Sequence, residues 1–391
     1  MPAKHILLVH NFYQIGGGEH TVFQNEMEML KRHGHSVSTY TRSNDELKNH
    51  KWKLALLPFS TVWSFRTYRE VRRLIREQRI DVVHCHNTFP LISPSVYYAA
   101  RSLKVPVVQT VHNFRFLCPN GLLFCDGRVC ERCPEAGNFR QALKKGCYRN
   151  SQLQTAVTVA MLKIHRWLGT YRKISYIFLT DFNRRKFDAL LDVEAENIFI
   201  KPNFVTRSQT TGSGKFEKKF IYAGRLDENK GVAFLLKAWE SLPRECRLHI
   251  YGDGPLLQLC QEAAEKYDNI RLFGFRPQQE IFADLADAAA LVFPSICYEG
   301  FSMTLAESFS LGRPVLAADL GNHGALVRES GGGVVYPVGD AAAFCRGVQT
   351  LLENNRVYAC NALACYEEKL NEEANYRLLK RIYDEAKHIE K

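Results

Sequence analysis

Short apolar segments alternate with longer amphipathic segments along most of the chain. In the first half, segments rich in β-branched residues occupy positions 5–10, 36–41, 81–86, 105–112 and 174–180. In the second half, similar segments occupy positions 218–224, 246–252, 269–274, 289–295 and 314–319. Each is followed by a loop and a stretch with helical periodicity. This pattern predicts an α/β protein with two Rossmann-like, doubly wound parallel units.

The boundary between the two units is predicted near residue 200. Pro202, Asn203 and a Thr/Ser/Gly run at 210–214 interrupt the pattern there. We therefore expect one domain over 1–200 and a second over 201–366. A charged amphipathic segment over 367–391 predicts a last helix, which the pattern alone assigns to neither domain.

Length and hydropathy indicate a globular protein without a membrane span. The chain has 391 residues, 46% of them apolar, which is enough for two domains of common size. Its first residues hold only a four-residue apolar run before His10, too short for a signal peptide, and no run approaches about 18 apolar residues. We expect a cytoplasmic protein.

Positive charge is concentrated in the first half. Residues 1–200 carry 29 Lys and Arg against 16 Asp and Glu, whereas residues 201–391 carry 23 against 25. Residues 61–79 interleave arginines with Trp63, Phe65 and Tyr68, which suits an anionic membrane surface or a phosphate-bearing partner. The alternative is a solvated basic face whose aromatic residues belong to the core. No recognised nucleic-acid module accompanies the charge, so no nucleic-acid partner is expected.

Candidate functional residues follow the predicted strands. Ligands of open α/β sheets lie beyond the carboxyl ends of the strands. The segments found there are Asn11–Glu19, His112, Gly224–Arg225, Gly252 and Glu299. We expect the two sheet edges to face each other across a cleft.

A glycine turn follows the first strand. Gly16, Gly17 and Gly18 precede Glu19 and a helix predicted to begin near His20. Glycines permit positive φ and close ligand approach, and a helix N-terminus attracts an anion. The spacing is not that of the dinucleotide fingerprint, so a purely structural turn remains the alternative.

Two cations and two carboxylates fit a nucleotide-sugar. Arg225 and Lys230 could neutralise a diphosphate leaving group, although a surface cation pair is the alternative. The turn after Glu299 could hold a phosphate on its amides, with Glu307 on the ribose diol and Glu299 on sugar hydroxyls. Its residues are Gly300, Phe301, Ser302, Met303 and Thr304. Backbone groups around Gly252 and Phe275–Arg276 are expected to contact the base without revealing which base it is.

Several of these motifs resemble one family. GGGE at 16–19, HN at 112–113, GRLDENKG, YGDGP, LFGF and EGFSMTLAE followed by GRPVLAAD are similar to the retaining glycosyltransferases of family 4, which have the GT-B fold. The resemblance spans about residues 6 to 340. It implies that Glu299 contacts the donor sugar, Glu307 the ribose, Arg225 and Lys230 the pyrophosphate, and His112 the sugar near the reacting centre.

The resemblance has further implications. The glycine turn, including Gly17 and Gly18, would approach donor and acceptor, and the terminal helix would cross back to the first domain. A hexose-type sugar would pass from a UDP- or GDP-sugar to a glycan, lipid-linked or small-molecule acceptor, with retention and without a catalytic metal. Ser302 stands where the family usually has glycine, but it keeps the backbone N–H. Front-face attack and double displacement both remain open.

A cysteine-rich insert covers residues 115–150. In a reducing cytoplasm its C-x-x-C is better suited to a structural zinc ion than to disulfides. Our choice of ligands is Cys118, Cys130, Cys133 and Cys147, with Cys125 left free. Plain reduced thiols or a redox pair are the alternatives. The insert is a candidate acceptor-binding lid.

Three other functions compete with glycosyl transfer. A nucleotide-sugar epimerase of the same fold would need acid and base carboxylates beside the sugar. A nicotinamide-dependent oxidoreductase would need a G-x-G-x-x-G turn, which neither half has after a strand. A non-enzymatic basic binding protein, tethered by its first domain, would bind no nucleotide.

Overall fold

The protein was analysed as a computed structural model. The structure describes residues 3–14, 17–47, 51–191, 194–207, 210, 212 and 216–387, without the side chains of 51–55 and 189–191. The chain divides into two compact units. The first comprises 1–123, 131–202 and 376–391, and the second comprises 124–130 and 203–375. The short segment 124–130 of the predicted insert thus groups with the second unit.

The first unit is built on a six-stranded parallel sheet with strand order β2-β1-β3-β4-β7-β8. A two-residue hairpin, β5 and β6, belongs to the second unit. The strands are β1 (His5–Phe12), β2 (Ser36–Ser43), β3 (Val82–Asn87), β4 (Val107–Val111), β5 (Phe124–Cys125), β6 (Arg128–Val129), β7 (Ser175–Phe178) and β8 (Ile198–Ile200). All residues of β3, β4 and β7 are buried, because parallel sheets are covered on both faces.

Eight helices connect these strands. They are α1 (Gly18–Arg32), α2 (Lys51–Val62), α3 (Phe65–Gln78), α4 (Ser95–Arg101), α5 (Arg132–Glu135), α6 (Arg140–Lys145), α7 (Gln152–Trp167) and α8 (Asp181–Leu191). The basic segment 61–79 spans two helices, because α2 ends at Val62 and Ser64 caps α3 by accepting a hydrogen bond from the Thr67 amide. Trp63 packs on Tyr68 and Tyr98, so only Phe65 of the three aromatic residues is exposed.

The second unit has its own six-stranded parallel sheet, with strand order β11-β10-β9-β12-β13-β14. Its strands are β9 (Glu217–Ala223), β10 (Arg247–Tyr251), β11 (Ile270–Gly274), β12 (Ala288–Phe293), β13 (Val315–Ala318) and β14 (Gly333–Tyr336). The order reverses between β9 and β12, and in sheets of this type ligands bind at such a switch point.

The helices of this half are α9 (Val232–Trp239), α10 (Leu257–Lys266), α11 (Gln278–Leu285), α12 (Met303–Ser310), α13 (Gly321–Ser330), α14 (Ala341–Glu353), α15 (Asn355–Cys365) and α16 (Glu372–Glu385). The last helix begins later than predicted, because residues 366–370 form a π-helical turn. From Tyr376 onward it belongs to the first unit, where the Tyr383 hydroxyl lies 2.7 Å from His84 Nδ1. Among the described helices, none is both long and apolar enough to cross a membrane.

Candidate functional site

An ion pair lies at the switch point of the second sheet. Lys230 ends a short 3₁₀ turn in the loop after β9, and Glu299 follows β12, the neighbouring strand. The Lys230 Nζ atom lies 2.6 Å from Glu299 Oε1, and the Ser295 hydroxyl donates to the same oxygen at 2.7 Å. Among the described contacts, both hydrogen bonds reach Oε1. The Oε2 atom is therefore the one left for a ligand hydroxyl.

Burial and charge act in opposite directions on this pair. Burial alone would raise the pKa of Glu299, but the charge and hydrogen bond of Lys230 outweigh it and hold the pKa below its ordinary value. Burial would likewise lower the pKa of Lys230, but the charge and hydrogen bond of Glu299, together with the charges of Cys297 and Asp227, outweigh burial and raise the pKa. Both groups are therefore ionised at neutral pH.

Two glycines allow the loops around this pair to approach closely. Gly231 has φ +72°, and a Cβ atom there would lie 1.9 Å from the Pro294 carbonyl oxygen. Gly252 has φ +135°, and its Cβ would lie 1.8 Å from the Gly224 carbonyl oxygen. Any larger residue would force these loops apart. This steric constraint explains the glycine at position 252, whereas the contact of its backbone with the base stays a prediction.

Asn322 fixes the turn after Glu299. Its side-chain amide, at the start of α13, donates to the carbonyl oxygens of Glu299 at 2.5 Å and Gly300 at 2.7 Å. These bonds hold the two carbonyls toward α13. The chain after Gly300 then leads into the N-terminus of α12. The sequence offered no motif for this residue.

Ser302 does more than keep a backbone amide. Its hydroxyl accepts a hydrogen bond from the Leu305 amide at 3.2 Å and caps α12. The first-turn amides of Met303 and Thr304 have no intrahelical acceptor in an α-helix. They are the donors that a phosphate at this helix would meet.

Glu307 lies on the second turn of α12. Its Oε1 atom accepts a hydrogen bond from the Gln278 side-chain amide at 2.5 Å. Burial raises the pKa of Glu307 to about 7, and the Gln278 hydrogen bond only partly counteracts this effect. The carboxyl group therefore titrates near neutral pH.

The other predicted residues of this unit are more exposed. Arg225 pairs with Asp227, with 2.8 Å between Nε and Oδ2, and half of its side chain is exposed. Phe275 is 81% exposed, and Arg276 donates through Nε to the Phe273 carbonyl at 3.1 Å. The described contacts do not join Arg225 to the Lys230–Glu299 pair.

In the first unit, His112 follows β4 and lies beside a second histidine. Its Nε2 atom is 2.9 Å from Nδ1 of His86 on β3, and the two rings stack with centroids 5.2 Å apart. Both residues line a small cavity of about 40 Å³, together with Asn113 and Arg115. Burial holds the pKa of His112 well below its ordinary value, so the ring is neutral.

A buried ion pair lies behind these histidines. Glu26 of α1 and Lys201, just after β8, are both fully buried, with 2.5 Å between Oε1 and Nζ. The Glu26 Oε2 atom lies 3.4 Å from His86 Nε2. Sequence reasoning missed all three residues, although histidines two positions apart at 84 and 86 point to the same face of a strand.

The glycine turn is described only in part. Gly16 lies outside the described residues, Gly17 is the N-cap of α1, and Gly18 begins that helix. Glu19, in its first turn, has one oxygen 3.9 Å from His10 Nδ1, and its other oxygen accepts from the Asn113 amide at 3.5 Å. Burial raises the pKa of Glu19 to about 8.

The five cysteines of the insert form no disulfide. The buried Cys118 thiol donates to Asn120 Oδ1 at 2.9 Å, and burial raises its pKa. Zinc binding by Cys118, Cys130, Cys133 and Cys147 stays a prediction.

Two family models match the chain. Residues 17–178 match the model described as "Glycosyl transferase 4-like domain", and residues 217–354 match "Glycosyl transferases group 1". Together they cover most of both units.

Relatives of known or assigned activity match as well. A phosphatidyl-myo-inositol mannosyltransferase of Mycobacterium leprae is 30% identical over 190 residues, which are 46% of this chain and 50% of that protein. The putative glycosyltransferase EpsD of Bacillus subtilis is 24% identical over 298 residues, covering 73% of this chain and 70% of EpsD.

Solved structures share the fold. HepE of Anabaena in complex with UDP has a TM-score of 0.66 at 16% identity, covering 97% of this chain and 99% of HepE. Sucrose-phosphate synthase of Thermosynechococcus elongatus has a TM-score of 0.68 at 16% identity, covering 97% and 98%. These likenesses confirm the predicted GT-B fold. The two family models show that the chain belongs to the GT4-like glycosyltransferases.

Proposed function

We propose that this glycosyltransferase moves a hexose-type sugar from a nucleotide-diphosphate sugar to an acceptor with retention of anomeric configuration. The observation that carries the proposal is the Lys230–Glu299 pair at the switch point, beside the N-terminus of α12. A cation, first-turn amides and a carboxylate with a spare oxygen are the groups that a sugar diphosphate requires.

In this proposal each group of the second unit has one role. Lys230 and Arg225 neutralise the pyrophosphate as it leaves, with the amides of Met303 and Thr304 holding its oxygens. Glu299 binds the donor sugar through Oε2, and Glu307 accepts hydrogen bonds from the ribose diol. The positive charge comes from side chains and helix amides, so the proposed mechanism requires no metal.

The donor nucleotide is proposed to be UDP or GDP. Solved structures of HepE hold UDP or UDP-glucose, which favours UDP for a chain of the same fold. The loops after β10 and β11, with Gly252, Phe275 and Arg276, are proposed to contact the base.

The acceptor is proposed to bind the first unit. A cavity of about 360 Å³ there is lined by polar Gln14, Asn44 and Arg149 and by apolar Leu57 and Leu153, among others. Phe89 lines both this cavity and the small cavity beside His112. The mixed lining and the size of the larger cavity fit a glycan or lipid-linked acceptor, whose hydroxyl would approach His112.

A peripheral association with anionic membranes is part of the proposal. The outer face of α3 exposes Arg69, Arg73 and Arg76, while Phe59 on α2 and Trp167 on α7 are 75% and 85% exposed. Basic and apolar side chains together suit an anionic lipid surface. We expect the protein to sediment with anionic vesicles at low salt, less so after Arg69→Glu and Arg73→Glu; failure of the unaltered protein to sediment would remove this part.

The first test of the proposed function is a thermal-shift panel with UDP-, GDP- and ADP-sugars and the free nucleosides, with no metal added. We expect one nucleotide family to raise the melting temperature and the others to leave it unchanged. The stabilising nucleotide-sugar should then release its nucleoside diphosphate on incubation with the protein. If no nucleotide-sugar shifts the melting temperature, the proposed donor site is wrong.

A further inference from the structure

The first unit contains a continuous chain of polar contacts from a buried ion pair to His112. It runs from Lys201 Nζ to Glu26 Oε1 at 2.5 Å, from Glu26 Oε2 to His86 Nε2 at 3.4 Å, and from His86 Nδ1 to His112 Nε2 at 2.9 Å. Glu26 and Lys201 are fully buried, and His86 is 3% exposed. His86 and His112 both line the small cavity, and His112, where this series of contacts ends, is the more exposed of the two.

Such a pair is costly to bury and is not a general source of stability. Removing two charges from water costs several kcal/mol per ion, and apolar residues of similar volume often give equal or greater stability. A buried pair that leads to a candidate site residue is therefore better explained by what it does to that residue.

When His86 and His112 each carry a single ring proton, the contacts favour one nitrogen of each ring as its site. Because His86 Nε2 faces a carboxylate oxygen, the proton of a neutral His86 is favoured on Nε2, and Nδ1 is left as an acceptor. His112 must then donate from Nε2 to His86 Nδ1. The remaining nitrogen of His112, Nδ1, carries a lone pair.

We infer that Glu26 is a positioning residue that acts through His86 to keep the proton of His112 on Nε2, so that Nδ1 can accept a hydrogen bond from a hydroxyl group of the bound sugar or acceptor. This inference rests on the proposed function for the identity of that hydroxyl. The proton arrangement itself is a property of the ligand-free protein. Lys201 supplies the positive charge that keeps Glu26 ionised in the interior.

The neighbouring histidine, His84, also lies near Glu26, with 3.7 Å between Nδ1 and Oε2, but each of its ring nitrogens has a nearer partner. Its two ring nitrogens lie 2.7 Å from the hydroxyls of Tyr383 and Thr110. Glu26, His84 and His86 also lie close enough to share a cation, but the Lys201 ammonium already pairs with this carboxylate. The chain to His112 therefore depends on Glu26 and His86, and Tyr383 offers a control outside it.

Glu26→Gln is expected to move the ring proton of His86 and of His112 to the other nitrogen. The ammonium of Lys201 will attract the amide oxygen of Gln, so the amide NH₂ will face His86 Nε2 and donate to it. His86 must then carry its proton on Nδ1 and donate to His112 Nε2. His112 is left with its proton on Nδ1, where a hydroxyl can no longer donate.

The test is ¹⁵N nuclear magnetic resonance of the histidine rings in the ligand-free full chain, which distinguishes protonated from unprotonated ring nitrogens. We expect a proton on Nε2 of His112 in the unaltered protein and on Nδ1 in Glu26→Gln, with no reversal in the control Tyr383→Phe. A proton on Nδ1 in the unaltered protein, or no change in Glu26→Gln, overturns the inference. Ring protonation of His112 in the unaltered protein needs no variant, so it still tests the inference if Glu26→Gln fails to fold.

Measuring kcat shows how the position of the His112 proton affects the reaction. In Glu26→Gln we expect kcat to fall by about 10- to 100-fold, the usual effect of losing a group that orients a functional histidine, while the affinity for the nucleotide-sugar stays the same. The pH profile should change in shape as well, since His10, His86, Glu26 and Lys201 all act on His112. A fall in kcat with an unchanged pH profile and unchanged ring protonation would mean only structural damage.

Nucleotide binding is measured separately from ring protonation. If no nucleotide-sugar binds but the ring protons are as expected, the proposed function fails and the proton arrangement stands. If nucleotide-sugars bind but the ring protons are not as expected, only the role of Glu26 is wrong.

Discussion

Replacing Lys230 by Met is expected to lower kcat by about 10²- to 10³-fold, the effect of removing one preorganised group that stabilises developing charge. Met keeps the length of the side chain and removes the ammonium 2.6 Å from Glu299. The leaving diphosphate then loses its nearest proposed cation. The rate is measured as release of nucleoside diphosphate from the nucleotide-sugar, with water as acceptor if no better acceptor is known.

This variant also leaves Glu299 without its partner. An unpaired buried charge costs up to about 3–5 kcal/mol, and less here because 29% of the Lys230 side chain is exposed. Adding Glu299→Gln should therefore restore part of the stability to urea unfolding without restoring the rate. If the double variant regained the rate, the loss in Lys230→Met would come from the orphaned carboxylate and not from the missing cation.

Replacing Glu307 by Ala is expected to weaken binding of the nucleotide-sugar by about 10- to 100-fold. The physical reason is the loss of hydrogen bonds from the ribose diol to a carboxylate, which contribute about 1.5–3 kcal/mol. Titration calorimetry measures the affinity directly. Glu299→Ala is the matched comparison, because its carboxylate is assigned to the sugar and should affect transfer more than nucleotide affinity. Equal losses of affinity in the two variants would contradict the assignment of these two carboxylates.

The raised pKa of Glu307 predicts that the affinity for the nucleotide-sugar depends on pH. With a pKa of about 7, Glu307 is largely protonated below neutral pH and loses part of its capacity to accept hydrogen bonds. Affinity for the nucleotide-sugar should therefore rise as the pH increases through about 7. Glu307→Gln, which cannot ionise, should bind with nearly the same affinity on both sides of that pH. A rise of equal size in Glu307→Gln would assign the titration to another group.

The strand pattern predicted most of the fold, because buried parallel strands are short β-branched runs bounded by turn residues. Ten strands lie where the sequence places them, within one to three residues at each end. The sequence reading missed the two-residue strands β5 and β6 and, in the two large sheets, β8 and β14, which have three and four residues. Strands this short do not show a hydrophobic period.

The sequence predicted those candidate site residues that directly follow a strand. Lys230, Glu299 and Glu307 stand in loops and helix turns directly after strands, and the strand-end rule selects them. Asn322 and Gln278 could not be found this way, because their partners are 23 and 29 positions away. Ser295 lies only four positions before its partner Glu299, but it belongs to no motif that the sequence offered. Glu26 and Lys201 are 175 positions apart, and only the folded chain brings them together.

The contact between Tyr383 and His84 has a consequence for the order in which the protein is made. Its two residues are 299 positions apart, and every residue of the second unit precedes Tyr376. A chain growing on the ribosome from its amino end therefore contains all of the second unit before the helix segment that completes the first unit has been translated. The unit whose synthesis starts earlier is the one that is finished later.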